Sequence, residues 1–251
     1  MKIHFHLTYL FIALSFILTG YFPNLLILTS IIIIHEIGHY ITAKITGLNP
    51  IKITIYPYGG ITKLNHLINT STNKELIVAI SGIIFQSIYF LNITILYRSG
   101  IIRDYIYNLF TIYHNNILFF NMLPIHPLDG SKVINLFLSK FLPYKLTLKL
   151  NIILSIITII ILLLLHYYHF NYTMIFIISL IINSIIKYYK NINYYFNKFL
   201  LERYIYNIKF KRTIIINNIN NMYKEKYHIF KNKNEYFTEN QVLISRFKGK
   251  L

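Results

Sequence analysis

The sequence predicts an α-helical polytopic membrane protein: six transmembrane helices, a small membrane-associated β-hairpin and a short cytoplasmic C-terminal α/β tail. Three observations carry this. Of the 251 residues, 55% are hydrophobic and 13% charged, where a soluble domain carries charge on about a quarter of its residues. The apolar residues gather into six runs of roughly membrane-crossing length. One stretch between the second and third runs alternates with a period of two instead of following a helical pattern.

The first run, Leu7 to Phe22, follows Lys2, as a signal peptide would. No A-x-A-like cleavage site follows and a second run starts almost at once, so it reads as a retained helix. Pro23-Asn24 makes a turn, and the second run extends from Leu25 to about Ile45. In the next stretch Ile51, Ile53 and Ile55 alternate with Lys52, Thr54 and Tyr56, Pro57-Tyr58-Gly59-Gly60 breaks the chain, and Ile61 to Leu64 returns. This predicts a β-hairpin. Its alternative is a solvent-facing loop.

A polar linker, Asn65 to Lys74, leads to the third run, Leu76 to Tyr97. Ser81-Gly82 lets this helix pack closely against a neighbour, and Gln86 can hydrogen-bond across helices, with packing as its expected role. The fourth run, Tyr105 to about Leu123, ends in Asn121-Met122-Leu123-Pro124-Ile125-His126-Pro127-Leu128-Asp129-Gly130. Two prolines break the helix and Gly130 permits a sharp turn. Broken backbone at membrane depth is tolerated only where protein or water surrounds it.

The fifth run is Leu146 to Leu165 and the sixth Phe170 to Ile186. His4 and His6 at the N-terminus, and His166 and His169 between runs five and six, read as interfacial. From Lys187 the tail begins as a basic, Tyr-rich helix to about Phe210. It ends in a mixed segment with β-like patterns at Thr213 to Ile216, Tyr227 to Phe230 and Val242 to Ser245.

The net charge of +17 invites a nucleic-acid partner, but its distribution argues against one. Fourteen of the 25 Lys and Arg lie from Lys187 onward, and most of the rest lie in the connections between runs two and three and between four and five. The other side carries only Arg98 and Arg103. With six spans every basic segment falls on one side, which puts both termini in the cytoplasm and the basic face against headgroups. Biased codon usage alone could also enrich Ile, Asn, Lys and Tyr. There is no cysteine, so disulfides and thiolate ligands are excluded and any metal must use His, Asp or Glu.

Chemistry concentrates at His35-Glu36-Ile37-Gly38-His39 in run two. Four residues of helix turn the chain about 400°, which stacks His35 and His39 on one face, one turn apart. Two imidazoles so placed can grip one zinc ion, with Glu36 close enough to take a proton from water. The alternative is a pair of core histidines with Glu36 near a helix end. Ionisable groups in a membrane helix mark function by default. Outside the tail the acids are Glu36, Glu75, Asp104 and Asp129. Glu75 and Asp104 start apolar runs, an ordinary place for charge, which leaves Glu36 and Asp129.

These two segments together resemble the site-2 protease (M50) family of intramembrane zinc metalloproteases. The match rests on His35-Glu36-x-x-His39 and on Asn121-x-x-Pro-x-x-Pro-Leu-Asp129-Gly130, and it covers about residues 1 to 190. Gly59-Gly60 and Ser81-Gly82 fit more loosely. In the third span the family has Pro and Asn where this chain has Ile83 and Gln86.

The resemblance implies one Zn²⁺ held by His35, His39 and Asp129, Glu36 as general base, and Asn121 as an oxyanion donor, with helix capping as its alternative. It implies substrate positioning by Gly59, Gly60 and Pro127. His126 is a ligand alternative ranked below Asp129, because it does not stand at a ligand position of the pattern. The six-span plan resembles the sporulation branch, whose members cleave the membrane-associated pro-sequence of a sporulation sigma factor and carry a C-terminal CBS module. Residues 1–190 are then the protease domain and 191–251 a basic cytoplasmic tail too short for more than a partial or degenerate CBS-like module. The expected partners are that membrane-associated pro-sigma substrate, membrane-embedded regulatory proteins and the lipid bilayer, without nucleic acid and with oligomerisation left open. The expected place is a bacterial inner membrane, of the cell or the forespore. The competing class is a transporter or channel with a His/Glu/Asp metal or proton site. No inverted repeat relates residues 1–97 to 98–187, which counts against it. An inactive scaffold is disfavoured by the intact motif.

Overall fold

The computed structural model describes residues 2–57, 59–165, 172–208, 210, 212–232 and 235–248. They form two compact units. The first holds residues up to His66, then Ile77–Leu123 and Leu128–Gly130; the second holds Leu67–Leu76, Pro124–Pro127 and the chain from Ser131.

The first unit opens with a strand the periodicity did not signal, β1 (Ile3–Phe5), followed by α1 (Leu7–Leu18) and α2 (Phe22–Thr46). At 12 residues α1 is about 18 Å long, short of the ~30 Å hydrocarbon core. In α2, Pro23 sits in the first turn, where a missing N–H costs nothing. Gly47 ends the helix at φ 78° and returns its N–H to the Ala43 and Lys44 carbonyls.

The expected hairpin is present as β2 (Pro50–Tyr56) and β3 (Gly59–Leu64), antiparallel, with β1 added parallel to β2. Its alternation is explained by packing: Ile53 and Ile55 are buried with Tyr9, Leu25 and Ile32, while β3 remains an edge strand of the sheet. Helix α3 (Thr72–Arg98), from Ile77 onward, and α4 (Asp104–Met122) also belong to this unit. Ile27 and Ile31 of α2 pack with Ile93 and Phe110 of these helices.

The second unit contains most of α5 (Asp129–Ser139), then α6 (Tyr144–Leu165), α7 (Tyr172–Lys190) and α8 (Ile192–Tyr206). The sequence reading treated the α5 segment as a connection. In the tail β4 (Thr213–Ile216) pairs parallel with β5 (Tyr227–Asn232), which pairs antiparallel with β6 (Glu235–Thr238). The β-like pattern read at Val242 to Ser245 is wrong. Those residues lie in helix α9 (Glu239–Phe247), started by a capping box in which Thr238 and Gln241 bond each other's backbone N–H. A four-residue apolar run cannot tell strand from helix, and the cap decides.

Arg203 of α8, 1% exposed, holds the second unit's polar core. Its guanidinium donates to the carbonyls of Tyr223, Lys224 and Lys226, to Asn69 Oδ1 and to both Glu239 oxygens. Buried arginine is tolerated only when its donors are satisfied in this way.

Among the described residues, three helices are long and apolar enough to cross a membrane: α2, α3 and α6. They become four if α7 and α8, bent by 49°, count as one span. Helix α4 is long enough but carries a histidine and four asparagines. His166 and His169 lie outside the described residues.

Candidate metal centre

The centre lies wholly within the first unit. The helical spacing of His35 and His39 puts their Nε2 atoms 3.1 Å apart on α2. Asp129, the first residue of α5, brings Oδ2 to 2.8 Å from each. All three side chains are buried. Gly130 makes this approach feasible: a Cβ there would stand 2.2 Å from the Met122 carbonyl oxygen, so only glycine lets α5 start against the end of α4.

Helix α3 faces these histidines with residues at i, i+4 and i+8. The Val78 carbonyl accepts from His39 Nδ1 at 2.7 Å, and Gln86 Oε1 lies 3.0 Å from His35 Nδ1. Between them Gly82 leaves room for both rings. A Cβ on it would fall 2.4 Å from His39 Nε2 and 2.5 Å from His35 Nε2. The small pair Ser81-Gly82 therefore serves close packing as expected, and the close neighbours are the histidine rings themselves.

A carbonyl oxygen only accepts, so the His39 proton sits on Nδ1. Gln86 Nε2 donates to the His114 carbonyl at 3.1 Å, which turns Oε1 to His35 and assigns its proton to Nδ1 too. In the neutral form that binds metal, rings held this way aim two Nε2 lone pairs at each other and at a carboxylate oxygen. Three acceptors at 2.8–3.1 Å repel one another unless a cation or a shared proton lies among them. Around zinc, with Zn–N of about 2.0–2.1 Å, tetrahedral ligand atoms stand roughly 3.3 Å apart. Moving a few tenths of an ångström would suffice, and the donor set fits a zinc ion.

Glu36 is buried beside this group, and His35, Glu36 and His39 offer ligand atoms within 4.8 Å of one another. Thr62 of β3 donates from Oγ1 to Glu36 Oε2 at 2.7 Å. Gly60 lies on the same side chain: a Cβ there would meet Glu36 Cγ at 2.2 Å. The hairpin's glycine thus lets an edge strand lie directly over the carboxylate.

Asn121, buried in the last turn of α4, lies near this strand, since a Cβ on Gly59 would be 3.9 Å from Asn121 Oδ1. Pro127 follows a cis peptide bond and belongs to the second unit, as does His126. The His126 ring stacks on Tyr188 at 4.1 Å and its backbone N–H donates to Ser155. The structure therefore assembles His35, Glu36, His39 and Asp129, places Gly59, Gly60 and Asn121 close by, and engages His126 elsewhere.

Sequence reasoning missed Thr62 and His114 and assigned Gln86 to packing. His114 could have been found, since it is an ionisable residue inside an apolar run. Thr62 could not, because nothing local distinguishes it from any strand threonine.

The model for peptidase family M50 matches residues 23–101, which include His35 to His39 and Gly82 to Gln86. Stage IV sporulation protein FB of Bacillus subtilis is 31% identical over 214 residues, covering 81% of this chain and 72% of that protein. The site-2 protease from Methanocaldococcus jannaschii superposes with a TM-score of 0.59 at 22% identity, covering 74% of this chain and 89% of that one, a likeness of fold.

Proposed function

The chain belongs to peptidase family M50: it is an integral membrane zinc metallopeptidase, and we propose that it cleaves the membrane-associated pro-sequence of a sporulation sigma factor. The transporter alternative gives way to family membership. The substrate rests on the resemblance to the sporulation branch. The one observation that carries the chemistry is the convergence of His35 Nε2, His39 Nε2 and Asp129 Oδ2 beside Glu36.

In this reading His35, His39 and Asp129 hold the zinc. When bound, it would supply Lewis acidity that brings the pKa of a water down to about 7. Glu36 takes the proton of the attacking water and passes it to the amine nitrogen as the C–N bond breaks. Asn121 donates its side-chain N–H to the oxyanion, and Pro127 shapes the turn that presents Asp129. A substrate helix hides its carbonyls in its own hydrogen bonds, so it must be extended before cleavage. The β3 edge at Gly59 and Gly60 would pair with the extended segment as an added strand.

The organisation we propose has six spans in residues 1–190, with α1 and α4 among them despite their length and polarity, both termini in the cytoplasm, and a bacterial inner membrane as its place. Residues 191–251 form a basic cytoplasmic tail. Its two parallel strands, third antiparallel strand and helix support a partial CBS-like module.

The test is co-expression with a membrane-associated pro-sigma factor from a spore-former, read on a blot. Wild type should yield the processed product. Glu36→Gln should lose about 10²–10⁴-fold in rate while still binding zinc; cutting at the wild-type rate would remove Glu36 as the base. Asp129→Ala should lose most bound zinc by metal analysis, and unchanged metal content would exclude Asp129 as a ligand.

A further inference from the structure

We propose that Gln86 is a positioning residue for the metal centre, locked by His114 so that it fixes the tautomer and ring orientation of His35. The proposal rests on the metallopeptidase reading, and concerns a residue that standard interhelical packing would otherwise explain.

Gln86 has no exposed surface. Its amide is engaged at both ends, with Oε1 3.0 Å from His35 Nδ1 and Nε2 donating to the His114 carbonyl oxygen at 3.1 Å. His114 Nδ1 lies 3.4 Å from the same Nε2. The His114 ring stacks on Phe90 at 4.2 Å, which holds α4 against α3 at this level.

The direction of the amide follows from one fact. A backbone carbonyl cannot donate, so the NH₂ end must face His114 and the oxygen must face His35. A flipped amide would set an oxygen against a carbonyl oxygen and an NH₂ against the imidazole N–H. His35 therefore keeps its proton on Nδ1 and turns the Nε2 lone pair towards His39 and Asp129. A metal-bound histidine whose second nitrogen donates to an outer acceptor is oriented and made a better ligand, and losing that acceptor typically costs 10–100-fold in metal affinity.

The two histidines are served unequally. His39 relies on the Val78 backbone carbonyl, which also accepts from Ser81 Oγ and which no side-chain change removes. His35 relies on a side chain, and is the ligand that substitution can detune. Both supports come from one face of α3, four residues either side of Gly82.

Purified full-length protein tests this by chelator competition for Zn²⁺, by the visible spectrum of the Co²⁺-substituted form, and by the Tm of the metal-free form. Gln86→Met keeps the shape and removes the acceptor. It should weaken zinc binding 10–100-fold and shift the Co²⁺ bands, with the metal-free Tm within a few degrees of wild type. Gln86→Glu, as the neutral acid whose O–H takes the place of the amide N–H towards the His114 carbonyl, keeps an acceptor on His35 and should bind within about threefold of wild type. A packing role predicts the reverse order, with Met tolerated and Glu damaged, and that result overturns the proposal.

If Gln86→Met does not fold, Gln86→Asn, whose amide stops one methylene short of His35, replaces it. About tenfold weaker zinc supports positioning, and unchanged affinity and spectrum overturn it. Failure of the wild type itself to bind zinc would instead sink the metallopeptidase reading, so the two failures are separable.

Discussion

Thr62 bears on Glu36 as a single hydroxyl reaching the acceptor that we propose receives a proton during turnover. Its Oγ1 donates to Glu36 Oε2 at 2.7 Å, a partly buried side-chain hydrogen bond of the kind worth about 0.5–1.5 kcal/mol. Thr62→Val keeps volume and strand propensity and removes only that bond. We expect kcat to fall by roughly tenfold, since 1.4 kcal/mol is a factor of ten, with KM and zinc content nearly unchanged. A variant with wild-type kcat would show that Gly60 and the backbone suffice to place the carboxylate. At this scale two of the proposed ligands were legible because they are local: His35 and His39 are neighbours by helix geometry alone. Thr62 was not, because its partner is 26 residues away and reaches it only when the hairpin folds back over α2.

Helices α2 and α3 run antiparallel, with His39 matched to Val78 and His35 to Gln86. The register is set by glycine on both sides. A Cβ on Gly38 would be 2.8 Å from Phe85 Cβ and from the Ser81 carbonyl, and a Cβ on Gly82 would strike both histidine rings. The two changes should differ in kind. Gly82→Ala puts a methyl where the rings stand, and the rings cannot swing away without breaking their Nδ1 bonds. It should therefore lose most bound zinc by metal analysis, even where the protein remains folded. A Gly82→Ala protein with full zinc occupancy would mean that α3 can shift outward at no cost to the site. The hairpin was readable at this scale because burial of Ile53 and Ile55 on one face writes a period of two into the sequence. β1 was not, being three residues beside a parallel partner, and α9 was misread because a capping box outweighs a short apolar pattern.

Over the whole chain, the first unit carries the metal centre and the second carries the polar core around Arg203 and the tail. The tail makes stability depend on pH. His228 is fully buried; its Nε2 accepts the Tyr223 N–H at 2.9 Å while its Nδ1 faces Glu239 Oε2 at 2.7 Å. It is thus held neutral, and burial pushes its pKa below the usual 6.5. Burial would raise the Glu239 carboxyl, but His228 and Arg203 outweigh this and hold it below 4.5. A base with a depressed folded pKa binds fewer protons folded than unfolded, so its contribution is lost as pH falls below 6.5. The carboxylate's contribution is lost later, below 4.5, in the same direction. We expect amides of residues 213–247 to lose exchange protection between pH 7.5 and 5.5, after correction for intrinsic rates. Protection that is flat across this window would show that His228 takes its proton without disturbing its partners.

Composition and periodicity by themselves determined that this is a helical membrane protein, that His35 and His39 share one face with Glu36 beside them, and that a hairpin follows them. These are properties of single segments in a solvent that forbids unpaired backbone, and the chain cannot conceal them. The resemblance named Asp129 beside these histidines, but only the tertiary structure decided that its Oδ2 comes to 2.8 Å from both, 90 and 94 residues away, that a glycine strand covers Glu36, and which end of Gln86 meets His35. Each depends on which atom of one segment faces which atom of another, and a hydrogen bond's direction is fixed by both partners, never by one.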